Sequence, residues 1–196
     1  VRKEAVIGFS KLKSKQYADD LMALEKNQDN RVRRAIWNGL RNYKENESVS
    51  AFLQTVTLND KKYYSVADAF KALVVVDTAA AGQIVDSLLE INSHNDVIRK
   101  AAITYFGSVI SDKNYNRLNE LVAYGGTTWD ARPEAVKQLS KYVKTKPKTI
   151  NLFVDMLEDN SRDIRRNAIR AIRSYGDKSH ISALEEALEK DPIISR

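Results

Sequence analysis

The stretch IRRNAIRAI, Ile164–Ile172, carries apolar or small residues at offsets 0, +4, +5, +7 and +8. That is the spacing of one buried helical face. The same register returns upstream at a period of about 33 residues, as ARPEAVKQL from Ala131, IRKAAITYF from Ile98, SVADAFKAL from Ser65 and VRRAIWNGL from Val32. A slightly shorter step then reaches VRKEAVIGF from Val1, which makes six copies. Offset +8 holds Phe9, Leu40, Leu73, Phe106, Leu139 and Ile172, and offset +5 holds Val6, Trp37, Phe70, Ile103, Val136 and Ile169. Offset +4 is Ala5, Ile36, Ala69, Ala102, Ala135 and Ala168, small in all but one copy, so a neighbouring helix can approach closely there.

A second amphipathic stretch follows each of these: YADDLMALEK, VSAFLQTVTL, AGQIVDSLLEI, YNRLNELVAY, TINLFVDMLE and ISALEEALEK. Polar turns separate the copies, among them NQDN, NSHND and DNSRD, whose Asn, Asp and Ser suit helix N-caps. Pro133 falls in a first turn, where its missing N–H costs nothing. Two helices per period, stacked six times, predict an all-α solenoid in which each repeat contacts its neighbours. The ankyrin signature T-P-L-H and the tetratricopeptide Trp/Gly/Tyr/Pro pattern are both absent. The V-R-x-x-A-x-x-A/G-L pattern instead resembles HEAT repeats, and among them the short form of phycobilin-lyase-like proteins. The expected fold is a right-handed α-solenoid of six HEAT-like two-helix repeats, with 1–196 as a single domain.

Composition agrees with this reading and narrows the function. Of 196 residues, 43% are hydrophobic and 30% charged, while seven Gly and three Pro are too few for a turn-rich β fold or a Gly-rich nucleotide site. No apolar run reaches the ~18 residues needed to cross a membrane, and the start has no signal-peptide core. The absence of Cys removes disulfides, thiolate zinc sites and Cys nucleophiles together, and is consistent with a cytoplasmic setting. The missing initiator Met suggests a piece of a longer protein.

No catalytic residue, metal ligand or cofactor site is expected. The two histidines, His94 in an inter-repeat turn and His180 at the start of the last second helix, read as solvated turn and cap residues. There is no H-E-x-x-H, G-x-S-x-G, Walker loop or G-x-G-x-x-G. Arg recurs at offset +1 in five copies, as Arg2, Arg33, Arg99, Arg132 and Arg165. Asp29, Asp96, Asp130 and Asp163 lie close before it in sequence, which predicts a structural ladder tying repeats together.

The net charge of +6 is unevenly distributed. The first helices are strongly basic and the second helices acidic. In HEAT-type stacks the second helices line the concave face, so the expected groove is mildly acidic, the wrong sign for nucleic acid. Its carboxylates Asp19, Asp86, Glu120, Asp155 and Glu185 would favour a cationic segment or a peptide amino terminus, with protein or peptide as the partner. Trp129, in the turn TTWD, either caps the core between repeats or serves as an exposed binding anchor.

Two stretches, KKYYSVADAFKALVVVD (Lys61–Asp77) and NDVIRKAAITYFGSVISDKNYNRLNELVAYGG (Asn95–Gly126), also resemble the C-terminal helical repeat region of aminopeptidase N-like (gluzincin) zinc metallopeptidases. That resemblance implies an accessory domain packing on a catalytic metallopeptidase domain of the same chain. The family's HExxH and GxMEN motifs do not occur, so no catalytic residue carries over. The alternative is a free-standing scaffold that binds a protein segment in its groove; a nucleic-acid-binding HEAT-like protein is disfavoured by the acidic second helices.

If the +4 column faces the core, Ala135→Leu overpacks it and should lower unfolding free energy by about 1–3 kcal/mol. A neutral effect on denaturant unfolding would place that column elsewhere.

Overall fold

A computed structural model describes residues 2–12, 15–26 and 28–190. Among these the chain is helical, with no strand, and no helix is long and apolar enough to cross a membrane. By packing it divides into two compact units, Val1–Tyr105 and Phe106–Arg196.

The first unit contains α1 (Arg2–Ser10), α2 (Lys15–Leu24), α3 (Asn30–Leu40), α4 (Glu47–Asn59), α5 (Tyr63–Val76) and α6 (Thr78–Leu89), with α7 (Val97–Ser108) as far as Tyr105. The second holds the rest of α7, then α8 (Asp112–Val122), α9 (Arg132–Leu139), α10 (Ile150–Asp155), α11 (Arg162–Tyr175) and α12 (Ile181–Lys190). Odd-numbered helices are the first helices of the six repeats. Each begins at or close to the position expected from sequence; the expected start at Val1 lies outside the described residues. Local chemistry sets the starts. The Asp29 carboxylate accepts from the Arg31 and Val32 N–H groups at 2.8 and 3.0 Å, Asn46 from Val49, and Asp77 from Ala80, so each satisfies otherwise orphaned donors. Pro133 sits in the first turn of α9, as expected.

The columns read from sequence are the core. Ile36, Ala69, Ala102, Ala135 and Ala168 at offset +4 are fully buried, as are Trp37, Phe70, Ile103 and Val136 at +5 and Leu40, Leu73 and Leu139 at +8. Hydrogen bonds between successive repeats keep the period. In the first unit the Asn42 side-chain amide donates to Ser10 O at 3.0 Å, and Lys62 Nζ to Asn30 Oδ1 at 3.0 Å. In the second, Tyr142 Oη donates to Phe106 O at 2.7 Å and Asn167 Nδ2 to Pro133 O at 2.8 Å.

The Arg column forms a structural ladder, but mostly with other carboxylates than those expected. Arg33 pairs with Glu25 of the preceding repeat and with Asp60 at the end of its own, and its guanidinium stacks 4.9 Å from the Trp37 ring centroid. Arg132 repeats the arrangement. Its Nε donates to Val122 O at 2.7 Å, and its Nη2 meets Asp159, which occupies the position of Asp60 in its own repeat, at 2.8 Å. Of the expected partners, Asp96 holds its Arg, at 2.5 Å from Arg99 Nη1. Asp29 is committed to capping α3, Asp163 pairs with Arg166, and Arg165 donates to Asp159 O at 2.9 Å. The reason at Asp29 is local: its carboxylate is taken up by the Arg31 and Val32 N–H groups at the start of α3, while Arg33 is held by Glu25 and Asp60.

Adjacent first helices also touch where one side lacks a side chain. A Cβ on Gly39 would stand 2.5 Å from Ser10 Cβ, and one on Gly107 would stand 2.7 Å from Gln138 Cβ. These are equivalent contacts, offset +7 of one repeat against +9 of its predecessor. Gly39→Ala gains helix propensity of about 1 kcal/mol but forces α1 and α3 apart. A net loss of about 1–2 kcal/mol in unfolding free energy is expected, and a stabilised variant in calorimetry would show that this contact is loose.

Candidate functional site

A concavity among the acidic second helices lies in the second unit, between α10 and α12. It has a volume of about 530 Å³. Its position follows from a local irregularity: α10 is short and tightens after Asp155 into a 3-10 turn, Met156–Glu158, before the chain extends at Asp159. The Asp159 carboxylate receives the Ser161 N–H at 2.8 Å and the Arg132 guanidinium, which fixes the turn between α10 and α11. On the opposite wall, α12 is launched by a reciprocal cap. Asp177 Oδ1 accepts from Ser179 N at 2.9 Å, and Asp177 N donates to His180 Nδ1 at 3.2 Å. The Ser179 hydroxyl and backbone N–H together hold the Asp177 carboxyl below the usual carboxylate range. His180 is thus a cap and His94 a turn residue, as expected.

The floor is apolar and shallow. Leu157 is buried, Val154 half-buried, and Ala183 and Ala187, one helical turn apart on α12, keep the wall low. The rim is charged. Lys190 reaches across the groove from α12 and is held by Glu158 Oε1 at 2.8 Å and Glu186 Oε1 at 2.6 Å. Its hydrogen bond holds Glu158 below the normal range, and the two carboxylates raise the Lys190 ammonium above its ordinary value. Asp155, exposed and one turn before Glu158, borders the same space. Chemically, the groove is a seat for an ammonium or guanidinium group over a small apolar floor.

Of the residues singled out from sequence, Asp155 is the one that this groove gathers. Glu185 lies on α12, but the groove is lined by its neighbour Glu186. Glu120 is exposed and paired with Arg117 at 2.7 Å, and Asp19 and Asp86 are exposed on α2 and α6 of the first unit. Trp129 is 58% exposed and Tyr124, in the same inter-repeat loop, 87% exposed, so Trp129 does not cap the core. Sequence reasoning misses Glu158, Asp159 and Glu186. The signals that could have found them are the i,i+3 relation of Asp155 to Glu158 and the i,i+4 relation of Glu186 to Lys190. Among the described residues no group of three His, Cys, Asp or Glu side chains could hold a metal ion.

Residues 124–194, which hold the fifth and sixth repeats and this groove, match the sequence profile of HEAT repeats. No curated protein matches the chain significantly.

The Lys190 clasp has a direct signature. Glu158 is held down by Lys190, so its carboxylate in the folded protein titrates below its ordinary range. In Lys190→Ala the Glu158 carboxyl resonance, followed by NMR, should titrate at higher pH; an unchanged midpoint would mean the ion pair does not form.

Proposed function

We propose that the chain is a non-catalytic HEAT-repeat interaction domain whose groove between α10 and α12 takes a basic protein segment. The observation that carries this reading is the Lys190 ammonium seated between Glu158 and Glu186, with Asp155 one turn away on the same rim. An intramolecular lysine already uses two of the four carboxylates that line the groove, and a third, Asp159, is held by Arg132. An incoming Lys or Arg gains Asp155 directly and Glu158 and Glu186 by displacing Lys190, while its methylene stem covers Ala183 and Ala187. Exposed Trp129 offers a second, aromatic contact on the same unit. Glu120 and Glu185, and in the first unit Asp19 and Asp86, add acidic field that steers a cationic partner.

The finer reading is an accessory domain of an aminopeptidase N-like zinc metallopeptidase acting in the cytoplasm. It is supported by the resemblance of Lys61–Asp77 and Asn95–Gly126 to the C-terminal repeats of those enzymes. On that reading the isolated chain binds no stoichiometric zinc and hydrolyses no aminoacyl substrate. A free-standing scaffold would use the groove in the same way.

The test is fluorescence polarisation with a labelled Lys/Arg-containing peptide and its Glu/Asp-substituted counterpart at moderate salt. The basic peptide should bind, weaken as salt rises, and lose about 3–10-fold in affinity to Asp155→Lys, the size expected of a rim charge reversal. Equal binding of both peptides, or indifference to Asp155→Lys, would refute the groove as the site.

A further inference from the structure

The second unit also carries a concentrated positive face, on its first helices. α9 and α11 pack side by side, with Asn167 Nδ2 of α11 donating to Pro133 O of α9 at 2.8 Å. α11 buries Ile164, Ala168, Ala171 and Ile172, which leaves Arg166, Arg170 and Arg173, at i, i+4 and i+7, as one exposed stripe. Next to it Lys137, and Lys141 in the 3-10 turn (Ser140–Tyr142) that continues α9, are exposed at i and i+4. Lys137 and Arg170 share offset +6, so the two stripes run side by side at the ~8–10 Å of packed helix axes.

Stacking does not require these charges. At the offsets where α11 has Arg166, Arg170 and Arg173, α5 has Ala67, Lys71 and Val74. Stacking does not cover them either. Asn38 and Lys71, also at +6 and flanked by repeats on both sides, are not buried, so neighbouring repeats leave this face open. The charges are only partly neutralised. Lys137 lies 3.3 Å from Glu134 and Arg166 3.4 Å from Asp163, while the side chains of Lys141, Arg170 and Arg173 make no ion pair among the described residues. Partial desolvation and, behind it, the charge of Lys137 hold the Lys141 ammonium below its ordinary value. Among the described residues, none of the exposed large apolar side chains lies on α9 or α11.

We propose that the outward face of α9 and α11 docks an acidic protein segment, its carboxylates taken by Arg170 and Arg173 in forked geometry and by Lys141 as a point charge. Acids at alternate positions of an extended segment recur every ~6–7 Å, close to the ~6 Å rise between Arg166 and Arg170. With no exposed large apolar side chain there, the face has nothing to insert into a bilayer and no platform on which single-stranded bases could stack. A duplex presents a continuous rail of phosphates that would also meet Glu134 and Asp163, whereas a flexible chain can place its acids past them. The contact is therefore electrostatic, fast to form and weakened by salt. It is separate from the α10–α12 groove, and the domain then holds an acidic and a basic partner on different faces.

Fluorescence polarisation on the full chain at low salt reads this with three labelled probes: a short Asp/Glu-rich peptide, its Asn/Gln counterpart and a short duplex DNA. The acidic peptide should bind and the Asn/Gln peptide should not. Arg170→Glu should weaken the acidic peptide about 3–10-fold, and Lys141→Glu added to it should weaken binding further. Lys113→Glu, the same change of charge on α8 of the same unit, should cost less than about 2-fold. Should Arg170→Glu lose its helical circular dichroism, Arg170→Gln takes its place, with a smaller loss in the same direction. Equal binding of the two peptides, or equal losses from Arg170→Glu and Lys113→Glu, overturns the proposal. Duplex DNA bound more tightly than the acidic peptide overturns the choice of partner and gives the face to nucleic acid. The groove is read by the basic peptide and Asp155→Lys, so the two readings stand or fall separately.

Discussion

The close approach of successive first helices, with small side chains at offset +4 and large ones at +5 buried along it, is the constraint on which the rest of the structure rests. Alanine at 69, 102 and 168 leaves room for a neighbouring helix, and Trp37, Phe70 and Val136, the matching residues one repeat earlier, are fully buried. Because helix–helix distance follows from side-chain size at the crossing, the sizes in these columns set the spacing of successive repeats. Gly39 and Gly107 extend the same close approach by one more turn. Copy two is the exception, with Ile36 at +4, and it is fully buried as well.

Given that spacing, the polar contacts fall into place. An Arg in the first turn, at the rim between repeats, finds a backbone carbonyl or carboxylate behind it and a carboxylate near the end of its own repeat, as Arg33 and Arg132 both do. These guanidiniums are largely buried and paired, so they lock register more than they add net stability. The third copy has Val66 in that seat, buried in place of a salt bridge. Stability therefore comes from neighbour-to-neighbour burial, with the ion pairs deciding which neighbour positions meet.

The fold was legible because every first helix must present the same face at the same interval, and that demand is written into four columns of residues. Partner choice was less legible. Asp29 and Asp163 lie within one helical turn of Arg33 and Arg165 in sequence, as Asp96 does of Arg99, yet Asp29 turns onto helix N–H groups and Asp163 meets Arg166. Trp129 sits in a turn, where periodicity says nothing about which way an aromatic faces, and it faces solvent. The acidic groove was half legible: Asp155 was visible on an acidic second helix, but the tightening of α10 that brings it beside Glu158 is a backbone event with no strong mark in the sequence. The clasp between Lys190 and Glu158 is long-range and depends on how α10 and α12 are placed, which composition does not encode.

The acidic groove between α10 and α12 is carried on first helices that obey this stacking rule. The most direct measurement of that rule is a double-mutant cycle on Val136→Ala and Ala168→Val in the second unit, read by denaturant unfolding. Each change alone should destabilise, the first by leaving a cavity and the second by overpacking, while the pair restores volume across the contact. A coupling energy of about 1 kcal/mol or more in the restoring direction is the expected result. Strictly additive losses would mean that the two columns do not meet, and would contradict the packing that supports the groove.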